Sequence, residues 1–434
     1  MESVDLIITA GMLQTSPFNA VISDGAVAIK NGVIVETGIK KAILGRYEAK
    51  RLIERPLGLL MPGLINCHTH AAMTIFRGMA DDLPLKIWLE EHIFPAESQL
   101  TPELVAIGTE LACAEMIRSG TTSFVDMYLF EDAVASVVDR VGMRAWLGEG
   151  VFDFPTPAFK DGLDALKETE RLLDKWHGHE RIAITVDPHT PYTCREELWQ
   201  KAEELADKTD TLLVTHISET DWEVAEMKRR VGKSPVAYLD SLHLLNERVL
   251  AAHCVALSRH DMELLSNRRV GVVHCPESNL KLASGVAPVS AMLRMNGRVC
   301  LGTDGAASNN DLNMFGEMRT AALLHKGVQK DPVVMSSIEV FAMATCWAAD
   351  ALHRKDIGRC EPGCRADLVI LDMEQPHMTP CYNPLSQIVY ATNGAEVSDV
   401  LVNGTLLMEK GNLLTIDEAR LMSRIKTIVS DLRR

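Results

Sequence analysis

The sequence predicts an α/β protein, a (β/α)8 TIM barrel with a small β-sandwich domain built from both chain termini. Three observations carry that prediction. Eight short apolar runs recur through the middle of the chain, each followed by enough residues for a helix. The two ends carry similar Asn-Gly turns between alternating apolar residues. Almost every one of the eight runs finishes on a His, Asp or Glu.

The ends come first. "AVAIKNGVIVETG" is centred on Asn31-Gly32, and "VLVNGTLLMEKG" on Asn403-Gly404. Asn-Gly between alternating runs is a strong hairpin signal, because both turn residues must adopt positive φ. "ADLVILDM", from Ala366 to Met373, adds a further strand. Isolated hairpins are marginally stable, so both termini are expected to fold together as one β-domain over residues 1–60 and 361–434. Residues 61–360 are then the barrel. Its strands are "LINCHTH", "TTSFVDM", "RAWLGEG", "AITVDPHT", "LLVTHIS", "VLAAHC", "VGVVHCP" and "RVCLGTDG". Continuous apolar runs suit parallel strands buried on both faces. A doubly wound open sheet is the competing arrangement.

Composition narrows the function. The formal net charge is −15, from 44 basic and 59 acidic residues, a balance that repels nucleic acid and anionic membranes. No apolar run approaches the ~20 residues that cross a bilayer. The start "MESVDLIITAG" lacks a basic region followed by a long apolar one, so no secretory signal is expected. Ten scattered cysteines suit reduced thiols and a cytoplasmic location. Cys360 and Cys364, the one close pair, read as structural. A small-molecule substrate is the expected partner, and a homo-oligomer is compatible with the sequence but not specified by it.

The strand ends carry the chemistry. They are His68 and His70, Asp126, Glu149, His189, His216, His253, His274 and Asp304. In a barrel all these ends open on the face where such folds keep their active sites. Residues two apart on a strand point the same way, so His68 and His70 together suit one divalent transition metal. A hydrogen-bonded pair of core histidines is the alternative. His216 is the natural third ligand. Asp304 would complete three nitrogens and one oxygen with room for a water, although Asp-Gly is also an ordinary turn pair. Glu219 faces such a site only if the chain has already turned after His216; otherwise it is an acid near a helix N-terminus. His253 is either a proton-transfer group at that water or a core histidine. From local pattern alone, Glu97 reads as a surface acid and Trp88 as core.

These motifs, with "PGLINCHTHAAMTIFRGMADDLPLKIWLEEHIFPAE", "DPHTPYTC", "THISET", "HCPESNLKLASGVAPV" and "GTDGAASNNDLNMFGEMR" in order, resemble the amidohydrolase superfamily. Within it the chain is similar to the 5-methylthioadenosine/S-adenosylhomocysteine deaminases over nearly its whole length. The resemblance implies one divalent metal, with Zn2+ expected, held by His68, His70, His216 and Asp304. Iron and manganese suit the same donors. It implies Glu219, His253 and Asp304 as catalytic groups, and Glu97, His189, Trp88, Ser308, Glu219 and Asp304 around the nucleoside. Glu97 would meet the ribose hydroxyls. Two-metal members carry a modified lysine at the end of the fourth strand, and "AITVDPHT" has none. The expected reaction is hydrolytic deamination of an adenine nucleoside. A guanine-type deaminase or an s-triazine hydrolase on the same scaffold is the alternative. Members that accept the homocysteine adduct have arginines after the third strand, where this chain has only Lys160 and Lys167. That departure favours methylthioadenosine or adenosine.

Overall fold

Both Asn-Gly pairs are hairpin turns. The computed structural model describes residues 1–432. Its N-terminal strands are β1 (Glu2–Leu13), β2 (Ile22–Lys30), β3 (Val33–Ile39) and β4 (Tyr47–Pro62). Asn31 and Gly32, with φ of 52° and 74°, join β2 to β3. After these come the barrel staves: β5 (Leu64–Thr69), β6 (Thr121–Tyr128), β7 (Arg144–Val151), β8 (Ile182–Ile184) with the short β9 (Asp187–Pro188), β10 (Leu213–Ile217), β11 (Val249–His253), β12 (Gly271–His274) and β13 (Arg298–Leu301). The chain then returns through β14 (Leu368–Asp372), β15 (Val397–Val402), β16 (Thr405–Glu409) and β17 (Asn412–Leu413). Asn403 and Gly404, at 52° and 73°, make the second tight turn. The two turns touch: a Cβ on Gly404 would stand 3.1 Å from the Gly32 Cα.

The terminal strands share one hydrogen-bonded path, β17-β16-β15-β14-β4-β1-β2-β3. Long β4 is its seam, parallel to β1 on one side and antiparallel to β14 on the other. Alternation sends Val27 and Ile29 to one apolar cluster and Ala26 and Ala28 to another, as a strand's period of two requires. Cys360 and Cys364 are buried in the first of these clusters; all ten cysteines are free thiols.

The staves form two parallel ladders, β5-β6-β7-β8 and β10-β11-β12-β13. A parallel bridge between Val186 and Leu213 joins them on one side. On the other, the Asp304 N–H donates to the His68 carbonyl at 3.0 Å and Asn66 Nδ2 donates to Thr303 Oγ1 at 2.8 Å. The circuit is the (β/α)8 barrel. Every residue of β6 and β7 is buried, the polar Asp126, Arg144 and Glu149 included, as expected of parallel strands covered on both faces. At the opposite end from the catalytic face, Arg144 makes a buried two-pronged ion pair with Asp367, at 2.8 and 3.1 Å. It ties β7 to the terminal sheet. Among the described residues, no helix is long and apolar enough to cross a membrane.

Candidate functional site

Four strand ends deliver their side chains to one point. His68 and His70 leave β5 on the same side, His216 comes from β10, and Asp304 follows β13. Asp304 Oδ1 lies 3.5 Å from His68 Nε2 and 3.2 Å from His70 Nε2, and His70 Nε2 lies 3.4 Å from His216 Nε2. Glycines make room for this. A Cβ on Gly302 would stand 2.8 Å from the His68 backbone nitrogen, and one on Gly305 3.2 Å from the His70 Cβ.

The outer nitrogens of two rings are fixed by backbone carbonyls. His70 Nδ1 donates to the Met127 carbonyl, and His216 Nδ1 to the His189 carbonyl at 2.9 Å. Each bond fixes the Nδ1–H tautomer and turns the Nε2 lone pair toward the shared centre. His68 is fully buried, and neither of its ring nitrogens makes a hydrogen bond, Asp304 Oδ1 at 3.5 Å being the carboxylate oxygen beside Nε2. Burial lowers the His68 pKa to about 4, so its imidazole is neutral. At His70 burial is outweighed by the hydrogen bond to Asp304 and its negative charge, which raise the pKa to about 9. The converging ring nitrogens and carboxylate thus need a positive charge among them, a proton on His70 or a bound cation. The donor set therefore fits a divalent metal, with three imidazole nitrogens and one carboxylate oxygen. His68, His216 and His253 form a second compact triad that shares His68 with the first.

Backbone strain aims the proton-handling groups. Ser218, His253 and Asp304 all sit at positive φ, at 53°, 69° and 66°. Non-glycine residues seldom adopt that conformation, and it clusters at functional sites. The left-handed Ser218 ends β10 and redirects the chain before Glu219. Glu223 then accepts from the backbone N–H groups of Ser218 and Glu219. Glu219 Oε2 comes to 3.9 Å from His253 Nε2, and burial raises the Glu219 pKa. The turn after His216 on which Glu219 depends is present.

A pocket opens over these groups. Nine of the ten site residues that the resemblance implies line it: His70, Trp88, Glu97, His189, His216, Glu219, His253, Asp304 and Ser308. His68 packs behind them, its ring centroid 4.8 Å from those of both His70 and His216. His189 packs on Phe152 at 4.4 Å and bonds Thr193 through Nδ1 at 2.9 Å. Burial lowers its pKa to about 3, leaving a neutral ring. Trp88 is buried and donates through Nε1 to the Ala80 carbonyl at 3.1 Å. Ser308 Oγ donates to Asp304 Oδ2 at 2.6 Å. Glu97 follows a π-helical turn over Trp88–Ile93 and stands near Tyr128; burial raises its pKa to about 7.

Three strand ends work elsewhere. Asp126 accepts from Thr69 Oγ1 and the Ala71 N–H on either side of His70. Glu149 accepts from the Phe130 and Glu131 N–H groups at the start of the helix Glu131–Val141. His274 faces His325 on the helix Met314–Gln329, Nε2 to Nε2 at 3.1 Å.

A catalytic-face cluster of histidines and one aspartate on a barrel is the setting of a known family, and the family model described as amidohydrolase family matches residues 59–407. The chain belongs to the amidohydrolase family. Among amidohydrolase relatives, it is 46% identical over 431 residues to the 5-methylthioadenosine/S-adenosylhomocysteine deaminase of Syntrophobacter fumaroxidans, covering 99% of this chain and 98% of the relative. It is 44% identical to the 5'-deoxyadenosine deaminase of Methanothermobacter thermautotrophicus, covering 95% of each. The crystal structure of an adenosine deaminase from Xanthomonas campestris with bound zinc superposes with a TM-score of 0.98 at 40% identity, over 100% of this chain and 99% of that one.

Proposed function

We propose that the protein deaminates 5'-substituted adenosines, 5'-methylthioadenosine foremost, to the inosine-type product and ammonia. The observation that carries this reading is the meeting of Glu219, His253 and Asp304 beside a metal-competent donor cluster, in a pocket whose wall also bears Glu97. His68, His70, His216 and Asp304 would hold one divalent cation, zinc by analogy with the Xanthomonas campestris enzyme. When bound, such a cation supplies Lewis acidity and brings the pKa of water toward neutrality.

The remaining chemistry falls to the side chains. Asp304 and His253 orient the attacking water toward C6 of the purine. Glu219 takes a proton from that water and delivers it to N1, which makes C6 electrophilic. A second proton transfer to the exocyclic nitrogen releases ammonia. The neutral His189 donates a hydrogen bond to the base, Ser308 and Trp88 complete the wall around it, and Glu97 accepts from the two ribose hydroxyls. Guanine and s-triazines offer Glu97 no diol, so they fit this pocket less well.

The 5' group points toward the mouth. The inner pocket shares Leu85, Leu89, Phe94, Tyr192 and Leu282 with a wider outer cleft, so the passage is largely apolar. Two cations of the outer cleft are already paired, Arg230 with Glu226 and Lys281 with Asp81. Lys86, over Trp222, is 4.0 Å from Glu90. Neither Lys160 nor Lys167 lines either cavity. A methylthio group suits that passage, whereas a homocysteine carboxylate would compete for committed partners. In steady-state assays of ammonia release, kcat/KM for methylthioadenosine should exceed that for S-adenosylhomocysteine by at least about tenfold. Guanine and triazines should give no turnover. Faster release from guanine than from any adenosine would overturn the substrate reading.

Glu97 gives a pH signature. Its carboxyl is pushed up to about 7 by burial, and only the ionised form accepts two hydroxyl donors. For methylthioadenosine, kcat/KM should rise between about pH 6 and about pH 8 as Glu97 loses its proton. Glu97→Gln should raise KM and remove the Glu97 step from that profile. An unchanged KM and profile in the variant would remove Glu97 from the ribose site.

Ten unpaired thiols support a cytoplasmic location, where disulfides are rare.

A further inference from the structure

One short segment of the chain reaches all three proton-handling groups. The helix Pro276–Lys281 follows β12, and two consecutive side chains on it point to different residues. Ser278 Oγ donates to Asp304 Oδ2 at 2.7 Å. Asn279 Oδ1 meets His253 Nδ1 at 2.9 Å. Just beyond the helix, Ser284 Oγ lies 3.4 Å from Glu219 Oε1. Ser278 and Asn279 are both buried, so neither bond competes with solvent.

The segment is itself held from two sides. Thr320, on the helix Met314–Gln329, donates to Glu277 Oε1 at 2.7 Å. Lys281 pairs with Asp81 at 2.7 Å and donates to the Ala307 carbonyl at 3.2 Å.

We propose that Ser278 and Asn279 are positioning residues of this site, Asn279 setting the tautomer of His253 and Ser278 the orientation of the Asp304 carboxylate. A carbonyl oxygen at Nδ1 accepts only from Nδ1–H. Of the two neutral tautomers this bond selects the one with its lone pair on Nε2, the nitrogen that faces Glu219. His253 can thus accept a hydrogen bond from water at Nε2. With the other tautomer it could only donate there. For Asp304, Ser278 and Ser308 both donate to Oδ2, which leaves Oδ1 directed at His68 and His70. The two serines decide which oxygen of the carboxylate is free. This inference rests on the deaminase reading for its effect on turnover, but not for its structural signature.

The test uses full-length zinc-loaded protein labelled with 15N-histidine, with His253 assigned from a His253→Asn sample. In the unsubstituted protein His253 should show a protonated Nδ1 and an unprotonated Nε2. Asn279→Leu should abolish that pattern and lower kcat about 10–100-fold, with KM and zinc content unchanged. Asn279→Asp keeps an acceptor at Nδ1 and should recover the Nδ1–H signature and most of the lost turnover. Ser278→Ala should weaken zinc binding about tenfold in a chelator-competition titration, which Asn279→Leu leaves unaltered. A His253 protonated at Nε2 alone, or the same tautomer in Asn279→Leu as in the parent protein, would overturn the proposal for Asn279. An unaltered zinc affinity in Ser278→Ala would overturn it for Ser278. If the parent protein releases no ammonia from any adenosine, the deaminase reading fails, and the nitrogen shifts and zinc affinities still decide this one.

Discussion

Replacing Glu219 with glutamine lowers kcat on methylthioadenosine by at least about 10²-fold, and by as much as ~10⁴-fold, while the cation stays bound. The side chain keeps its size and can still accept from Ser284, so pocket shape is preserved. What disappears is a group that takes a proton from water and passes it to N1. Glu219 contributes no donor atom to the two metal-competent triads, so zinc content should match that of the parent protein. Stopped assays of ammonia release, run beside elemental analysis of the same samples, check both halves. Turnover near the parent rate would remove Glu219 from the mechanism. Loss of zinc together with activity would make it a ligand instead.

His68→Ala has the opposite signature, losing cation and activity together. His68 belongs to both triads, is fully buried, and has no hydrogen-bond partner at either ring nitrogen. An imidazole in such surroundings carries a desolvation cost that only a bound cation offsets. Removing it deletes one of the four donors and leaves His70 and Asp304 facing each other without it. Zinc measured after desalting should fall well below one per chain, and deamination should fall to background. Stoichiometric zinc in His68→Ala would take this residue out of the ligand set.

The barrel and the donor cluster were largely legible in the sequence because both follow from local rules. A parallel stave buried on both faces has to be an apolar run, and its C-terminal end has to open on one common face. His68, His70 and His216 could be read from that alone. The paired Asn-Gly turns were equally plain, since Asn31, Gly32, Asn403 and Gly404 all need positive φ. Glu219 was conditional on a turn that the letters Ser-Glu-Thr-Asp permit but do not require. The left-handed Ser218 supplies it.

Other residues were not legible, for identifiable reasons. Asp126, Glu149 and His274 sit at strand ends like the ligands, but their partners are backbone amides, a helix start and His325. Nothing in a strand's own pattern distinguishes a side chain aimed at the axis from one that braces the rim. Trp88 opens a π-helical stretch and Glu97 lies just beyond it, so the spacing that marks one face of an ordinary helix does not relate the two. Their place in the pocket was suggested only by resemblance. Ser278 and Asn279 gave no signal. Small polar residues in a six-residue helix are ordinary, and their partners lie 26 positions away along the chain.

X-ray absorption at the zinc edge, on full-length protein reconstituted with one equivalent of zinc, tests the central claim most directly. The donor geometry predicts a single site with three imidazole nitrogens and one or two oxygens near 2.0–2.2 Å, one from Asp304 and the other from water. The imidazole contribution should drop by one in His70→Ala and in His216→Ala. A spectrum dominated by sulfur or by water oxygens, or one that neither substitution alters, would contradict the account.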